Sequence, residues 1–151
     1  MIFEKARDED RQQVNALALE IHSLHVLWRP DIFEMPSELY TVDRFREAME
    51  SLYVAREGGK VVGYAAINIR DYDWAGMVKR RVLYIDEFGV SQAHRRQGIG
   101  RFMMEQLGAL GRQLGCTGMQ LGVYPQNEAA VAFYKSCGFE VQSVTLSSKL
   151  S

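Results

Sequence analysis

The sequence predicts an α/β sandwich with its elements in the order β-α-α-β-β-β-α-β-α-β. Three observations predict it. Apolar residues recur at helical spacing in well-separated stretches, short β-branched and aromatic runs lie between them, and three of those runs follow one another in mid-chain before any helix crosses over. The last feature argues against a doubly wound sheet. With 151 residues and no repeat or linker, the chain suits one domain, 1–151, with its own hydrophobic core.

Residues 2 to 6 read as a short strand. Asp8 or Asp10 could cap a helix whose core stripe is Val14, Leu17, Ala18, Ile21, His25 and Trp28. His25 lies in that stripe and His22 on its edge, so both read as packed, hydrogen-bonded histidines rather than catalytic ones. Arg29-Pro30 ends the helix, because the residue before proline is pushed out of the helical region. Pro36-Ser37 precedes a second helix within 40 to 50, followed by the strand Leu52 to Ala55. Glu57-Gly58-Gly59-Lys60 has the composition of a hairpin turn into the strand Val61 to Ile69, and Asp71 to Lys79 is a polar and aromatic loop into the strand Val82 to Val90.

A helix starting near Gly98 carries Met103, Leu107, Leu110 and Leu114 on one face. Gly108 and Gly111 each cost it about 1 kcal/mol relative to Ala, which close packing on the sheet would explain. Met119 to Val123 is a strand, Tyr124-Pro125-Gln126 a turn, and Asn127 a helix N-cap. Gly138 suits a left-handed C-cap, and Phe139 opens a final strand. Only twelve residues follow it, enough for one strand or a very short hairpin.

Composition narrows the function classes. A net charge of −1 gives no global pull towards nucleic acid or anionic membrane. The start lacks the apolar core of a signal peptide and no apolar run approaches the ~20 residues that cross a bilayer, so a soluble, cytoplasmic protein is expected. Cys116 and Cys137 read as buried free thiols, and neither groups with His22, His25 or His94 as a metal site, so no metal is expected.

Against this neutral background, Arg95-Arg96-Gln97-Gly98-Ile99-Gly100 stands out. A strand that hands over to a glycine-opened helix aims several N–H groups and the positive end of the helix dipole at one spot, where a phosphate fits. Glycines at 98 and 100 keep side chains away from it, and Arg95, Arg96 and Arg101 add charge. No Gly-Lys-Ser/Thr ending makes it a nucleoside-triphosphate loop, and Met103 stands where a dinucleotide fingerprint needs glycine. A tight turn feeding a surface helix with solvated arginines would have the same composition. About thirty residues on, Asn127 to Phe139 forms a second segment with Asn at its start, Tyr134 within it and Gly138 at its end.

Together, Arg-x-x-Gly-x-Gly and Asn-x-x-Ala-x-x-x-Tyr-x-x-x-Gly-Phe resemble the signature segments of the GNAT superfamily of acyl-CoA-dependent N-acetyltransferases. The motifs cover residues 82 to 139; the remainder resembles the family only in its order of elements. The resemblance implies a mixed, mostly antiparallel central sheet flanked by helices, acetyl-CoA as cosubstrate, and a small-molecule amine or peptide amino group as acceptor. A homodimer is left open. It implies that strands 82–90 and 119–123 splay apart around the pantetheine arm, and Gly89 is placed where the required bulge could form. Main-chain groups of Phe88 and Val90 would meet the pantetheine amide and thioester carbonyl. Amides from Arg96 through Gln97, Gly98 and Ile99 to Gly100 would hold the pyrophosphate beside Arg95, and Asn127 would add a cofactor contact to its capping role.

Amine attack on a thioester needs a neutral amine and something to receive the thiolate. An alkylamine with a pKa near ~10.4 is almost wholly protonated at pH 7, so deprotonation needs help. Glu87 is the preferred base, directly or through water, with Asp86 on the opposite face; an edge-of-sheet carboxylate without chemistry is the competing reading. Tyr134 is the family's usual acid, or else a packed aromatic beside Phe133. Trp28, Arg29, Asp31, Phe33, Tyr40, Tyr72, Asp73 and Trp74 fall in segments that flank the acceptor side in the family. A non-catalytic acyl-CoA sensor is the alternative function, against which the presence of both Tyr134 and Glu87 weighs.

Overall fold

The computed structural model describes residues 1–151. The elements are β1 (Ile2–Lys5), α1 (Arg11–Trp28), α2 (Val42–Ala48), β2 (Leu52–Glu57), β3 (Lys60–Tyr72), β4 (Arg80–Val90), α3 (Ile99–Gln113), β5 (Gly118–Leu121) and α4 (Glu128–Ser136). The five strands form one sheet in sequence order. The first four pair antiparallel, and β5 lies parallel to β4. This is the mixed, mostly antiparallel sheet flanked by helices that the family resemblance implies.

Alternation along the strands builds two apolar layers. Leu52, Val54, Val61 and Tyr64 face Val14, Leu17 and Ala18 of α1 and Phe45 of α2. Ala55, Val62, Ala65, Ile67, Leu83 and Ile85 face Ile99, Met103 and Leu107 of α3. Burial of those three α3 side chains, roughly 1.5–3 kcal/mol each, offsets the cost of Gly108 and Gly111 in the same helix. Close packing does not demand those glycines, however. A methyl at Gly108 would lie 3.8 Å from Arg112 Nη1, and one at Gly111 3.6 Å from Leu83, both ordinary contact.

Asp10 is positioned at the start of α1 but its side chain does not cap it. It is 1% exposed and takes two 2.9 Å hydrogen bonds from the Arg56 guanidinium and one of 2.8 Å from the Arg7 amide. Burial alone would raise this carboxyl's pKa. The Arg56 hydrogen bonds, the Arg7 amide and the two guanidinium charges outweigh it and hold the carboxyl below its ordinary value.

Four expectations are corrected, the last of them with the facing of β4 below. Residues 137–151 contain no helix or strand, so the final strand expected from Phe139 is not formed. Second, β4 carries its irregularity at Asp86 rather than Gly89. Ala66 pairs with Glu87 and Ile67 with Ile85, leaving Asp86 as the extra residue, whereas Gly89 pairs in register with Tyr64. Gly89 is glycine because a Cβ there would overlap the Ile21 δ-methyl of α1. Third, Cys116 and Cys137 are free but only partly buried.

The bulge changes which way β4 faces. Leu83 and Ile85 point to the α3 layer, and beyond the bulge Phe88 and Val90 do so instead. Glu87 is thereby turned to the α1 and α2 layer. Asp86 turns the same way: Asn68, in phase along β3 with Tyr64, donates to its Oδ2 at 2.6 Å. The expectation that Asp86 and Glu87 occupy opposite faces fails, because a bulge interrupts strict alternation.

Candidate active site

Pairing of β4 with β5 runs from Val82 opposite Gly118 to Ile85 opposite Leu121, and there it stops. β5 ends at Leu121 instead of reaching Val123, and the chain turns away through Gly122. The last stretch of β4, 86–90, therefore keeps β3 on one side and has no strand on the other. The splay between 82–90 and 119–123 that the family resemblance implies is present, and Phe88 and Val90 lie along its open edge.

β4 then runs into a short turn at Gln92–His94, tied down by the Ser91 amide on the Val62 carbonyl at 2.8 Å. Arg96 has φ 65° and Gly98 φ 78°, both left-handed, and α3 starts at Ile99. Neither the first turn of the helix nor the turn before it satisfies its own donors: no amide from Arg96 through Gln97, Gly98, Ile99 and Gly100 to Arg101 has a partner within the chain. Arg95 and Arg96 are exposed and form no ion pair, while Arg101 donates to Ser136 Oγ at 3.0 Å. The two glycines act differently. Gly98 supplies the left-handed turn, whereas a methyl at Gly100 would sit 3.1 Å from Phe133 Cζ, so Gly100 makes room for α4 rather than for a ligand.

α4 starts as its sequence predicts, with Asn127 Oδ1 accepting from the Ala130 amide at 3.1 Å. It ends in a Schellman turn at Gly138, φ 96°, with the Phe139 amide on the Tyr134 carbonyl at 3.0 Å. Tyr134 packs between Phe88 of β4, Phe133 and Phe139, at centroid distances of 6.1, 5.6 and 5.9 Å. Its hydroxyl has no partner within the chain. Burial, with a smaller contribution from Cys137, pushes this phenol up to about 12.

On the other face of β4, Glu87 accepts hydrogen bonds from the Tyr40 hydroxyl on one carboxylate oxygen and from the Tyr64 hydroxyl, at 3.1 Å, on the other. Burial first, and the Glu87 charge second, hold both phenols well above their ordinary value, so both remain donors at neutral pH. Tyr40 is itself fixed by Asn15, whose Oδ1 accepts from the Leu39 and Tyr40 amides at 2.9 Å each. Sequence spacing gives no sign of this arrangement. Tyr40 is brought in by the loop between α1 and α2, which Asn15 of α1 holds, and Tyr64 by the register of β3 on β4.

A third group lies where α1 meets the chain leaving β5. The His25 ring packs 5.3 Å from Phe33 and 5.9 Å from Tyr124 between centroids, and Phe33 is edge-on to Tyr124 at 5.8 Å. Burial and the neighbouring His22 pull the His25 pKa below its ordinary value, against an opposing pull from Glu87, so the ring is neutral at pH 7. His22 is hydrogen-bonded, as expected, to the Glu34 carbonyl at 2.8 Å, whereas the His25 ring forms no hydrogen bond within the chain. Of the residues expected to flank an acceptor, Tyr40, Phe33 and Trp28, the last with its ring centroid 6.3 Å from that of His25, join these groups. Arg29 and Asp31 pair with each other. Tyr72 and Trp74 meet edge to face at the far end of β3, with Tyr72 six positions beyond the partner of Glu87 and so about 20 Å along the strand.

Comparison with known proteins adds an independent line. The model of the Acetyltransferase (GNAT) family matches residues 18–139. An uncharacterized N-acetyltransferase of Methanocaldococcus jannaschii is 31% identical over 96 residues, 63% of this chain and 41% of that protein. The thialysine N-epsilon-acetyltransferase of Bos taurus is 29% identical over 82 residues, 54% of this chain and 46% of that protein. The chain thus spans less than half the length of these curated relatives. Among solved structures, a mutant of the BH1408 protein from Bacillus halodurans superposes with a TM-score of 0.94 at 29% identity, covering 100% of both chains.

Proposed function

The chain belongs to the GNAT acetyltransferase family and is an acyltransferase, and from that premise we propose that it moves an acetyl group from acetyl-CoA to a primary amine by direct attack. Residues 1–151 act as one catalytic domain in this reading. The observation that carries it is the open end of β4. One short stretch has Glu87 on one face and Tyr134 against the other, with a main-chain edge free of β5 between them, and leads directly into a helix start whose amides are unpartnered.

Acetyl-CoA supplies the activated acyl carbon and the thiolate that leaves. The amides of 96 to 100 at the α3 start hold its pyrophosphate, with Arg95 and Arg96 adding charge. Main-chain groups of Phe88 and Val90 orient its arm, and Asn127 flanks it. Glu87, kept in place by Tyr40 and Tyr64, attracts the acceptor's ammonium and, directly or through a water, takes its proton; the neutral amine nitrogen then bonds to the acyl carbon as the C–S bond breaks, and the second proton lost from nitrogen passes through solvent to the thiolate, leaving the amide and free CoA. Tyr134 hydrogen-bonds to the developing thiolate. With its phenol near 12, full proton transfer to a thiol of pKa about 8.5 would be uphill by roughly 5 kcal/mol, so stabilisation outweighs transfer.

The acceptor is a small primary amine or peptide amino group that reaches Glu87 past His25, Phe33 and Tyr124. Screening amines and peptides with acetyl-CoA, read by release of free CoA and by mass of the product, tests the reading. Amine-dependent CoA release with an N-acetyl product supports it; turnover by hydrolysis alone, with every acceptor left unmodified, overturns it.

A further inference from the structure

Five rings meet at the end of α1, and none of them is sealed in the core. His22, His25 and Trp28 come from the helix, Phe33 from the loop that follows it and Tyr124 from the chain leaving β5, and all five are only partly buried. The group is continuous. His22 is edge-on to His25 at 5.9 Å and to Phe33 at 5.6 Å between centroids, and Phe33, His25 and Tyr124 meet one another as described above. Single exposed apolar side chains need no explanation, but a contiguous aromatic surface half in water beside a candidate active site does. Its connection to Glu87 is built into one segment. The loop between α1 and α2 is fastened at both ends, the Phe33 amide donating to the Arg29 carbonyl at 2.9 Å and the Leu39 and Tyr40 amides to Asn15. That loop carries Phe33 to the rings and Tyr40 to the Glu87 carboxylate.

Charge divides the two ends of this surface. His25 is neutral, so the rings set no positive charge against an ammonium at Glu87. The other carboxylates nearby are engaged or in water: Asp31 takes two hydrogen bonds from Arg29, at 3.0 and 2.9 Å, Asp86 one from Asn68 and Glu20 one from the Gln92 amide, while Glu34 stands in solvent. We infer that the acceptor carries one amine on a short chain ending in a flat unsaturated ring, with the amine at Glu87 and the ring against His25, Phe33 and Tyr124. It is an arylalkylamine, not a polyamine or a lysine side chain. A rigid ring meets other rings in the offset and edge-on geometries they prefer, and loses less conformational freedom on binding than a flexible polycation. Aromatic faces attract cations as well, so a diamine is the competitor to be excluded. The inference rests on the proposed acetyl transfer for the place of the amine, but it is tested by binding, which needs no transfer.

Trp28 and Trp74 are the two tryptophans, and Trp74 lies at the far end of β3. A Trp74→Phe chain therefore reports the ring group alone through Trp28 fluorescence. With that chain saturated with CoA, so that no acetyl group is present, 2-phenylethylamine should bind at least about tenfold more tightly than butylamine, 1,4-diaminobutane or 2-phenylethanol. Phe33→Ala and Phe33→Leu, the second keeping apolar bulk without the ring, should each weaken 2-phenylethylamine by about tenfold while the affinity for CoA is retained. With acetyl-CoA, the same variants should act on KM for 2-phenylethylamine more than on kcat. No saturable change with 2-phenylethylamine, equal affinity for butylamine, tighter binding of 1,4-diaminobutane, or a ring preference that survives both Phe33 variants would each overturn the inference. Ring-selective binding without an acetylated product from any amine would support the ring site and overturn the acetyl transfer.

Discussion

Tyr134 has no hydrogen-bond partner for its hydroxyl and three aromatic neighbours for its ring, so its two roles separate cleanly in a Tyr134→Phe variant. Packing against Phe88, Phe133 and Phe139 is retained, and only the donor is lost. Turnover should fall by about 10²–10⁴-fold while the affinity for acetyl-CoA, measured by calorimetry, stays within a few-fold. Turnover within threefold of the parent would make Tyr134 a packing residue. Glu87 calls for a different readout, because two phenols already occupy its oxygens. Glu87→Gln keeps the shape and one acceptor oxygen but removes the charge that attracts an ammonium. The rate should drop, and the limb that rises with pH as the amine loses its proton should shift or flatten, with CoA binding nearly unchanged. An unaltered pH profile with a verified acceptor would move the base to the neutral His25.

Among the elements, β4 does the most to place the site, and it does so through one extra residue and one missing side chain. Had β4 alternated strictly through Asp86, Glu87 would face the apolar α3 layer and Phe88 the tyrosines; the bulge keeps both layers apolar and turns the carboxylate to Tyr40 and Tyr64. Three positions on, Gly89 lets α1 approach β4 through Ile21. Gly89→Ala should destabilise the protein by about 1–3 kcal/mol through overpacking in urea unfolding, and adding Ile21→Val, which removes the overlapping methyl, should return part of that loss. Purely additive effects in the double variant would show that α1 does not press on β4 at this point.

For the whole molecule, Asp10 and Arg56 join the start of α1 to β2, and that pair links stability to acidity. The Asp10 carboxyl titrates below its ordinary value in the folded protein, so the stabilisation is complete above about pH 4 and is lost as the pH falls through the folded value. Asp10→Asn should cost about 1–3 kcal/mol at neutral pH, since the mostly buried Arg56 guanidinium loses the charge of one carboxylate partner while keeping Glu4 at 3.1 Å, and should flatten the acid end of the stability profile measured by urea unfolding. An equally steep acid end in the variant would assign the loss to other carboxylates. Much of this architecture was legible in the sequence because period and punctuation carry it: the α1 stripe, the glycine pair at 58 and 59, the Asn127 cap and the Gly138 stop all fall where they were read. The bulge was misplaced because register depends on the partner strand, which spacing along one strand does not reveal. Tyr40, Asn15 and Tyr64 were invisible as supports of Glu87 for the same reason: long-range contacts leave no local period. The missing last strand has strand composition and no partner in its own chain, so composition alone misread it. The short β4–β5 ladder has an evolutionary consequence. At the opening past Ile85 the groups on offer are peptide N–H and C=O, common to every residue type, so the side chains of Phe88 and Val90 can drift to any shape that fills the α3 and α4 layer without altering the exposed main-chain edge itself.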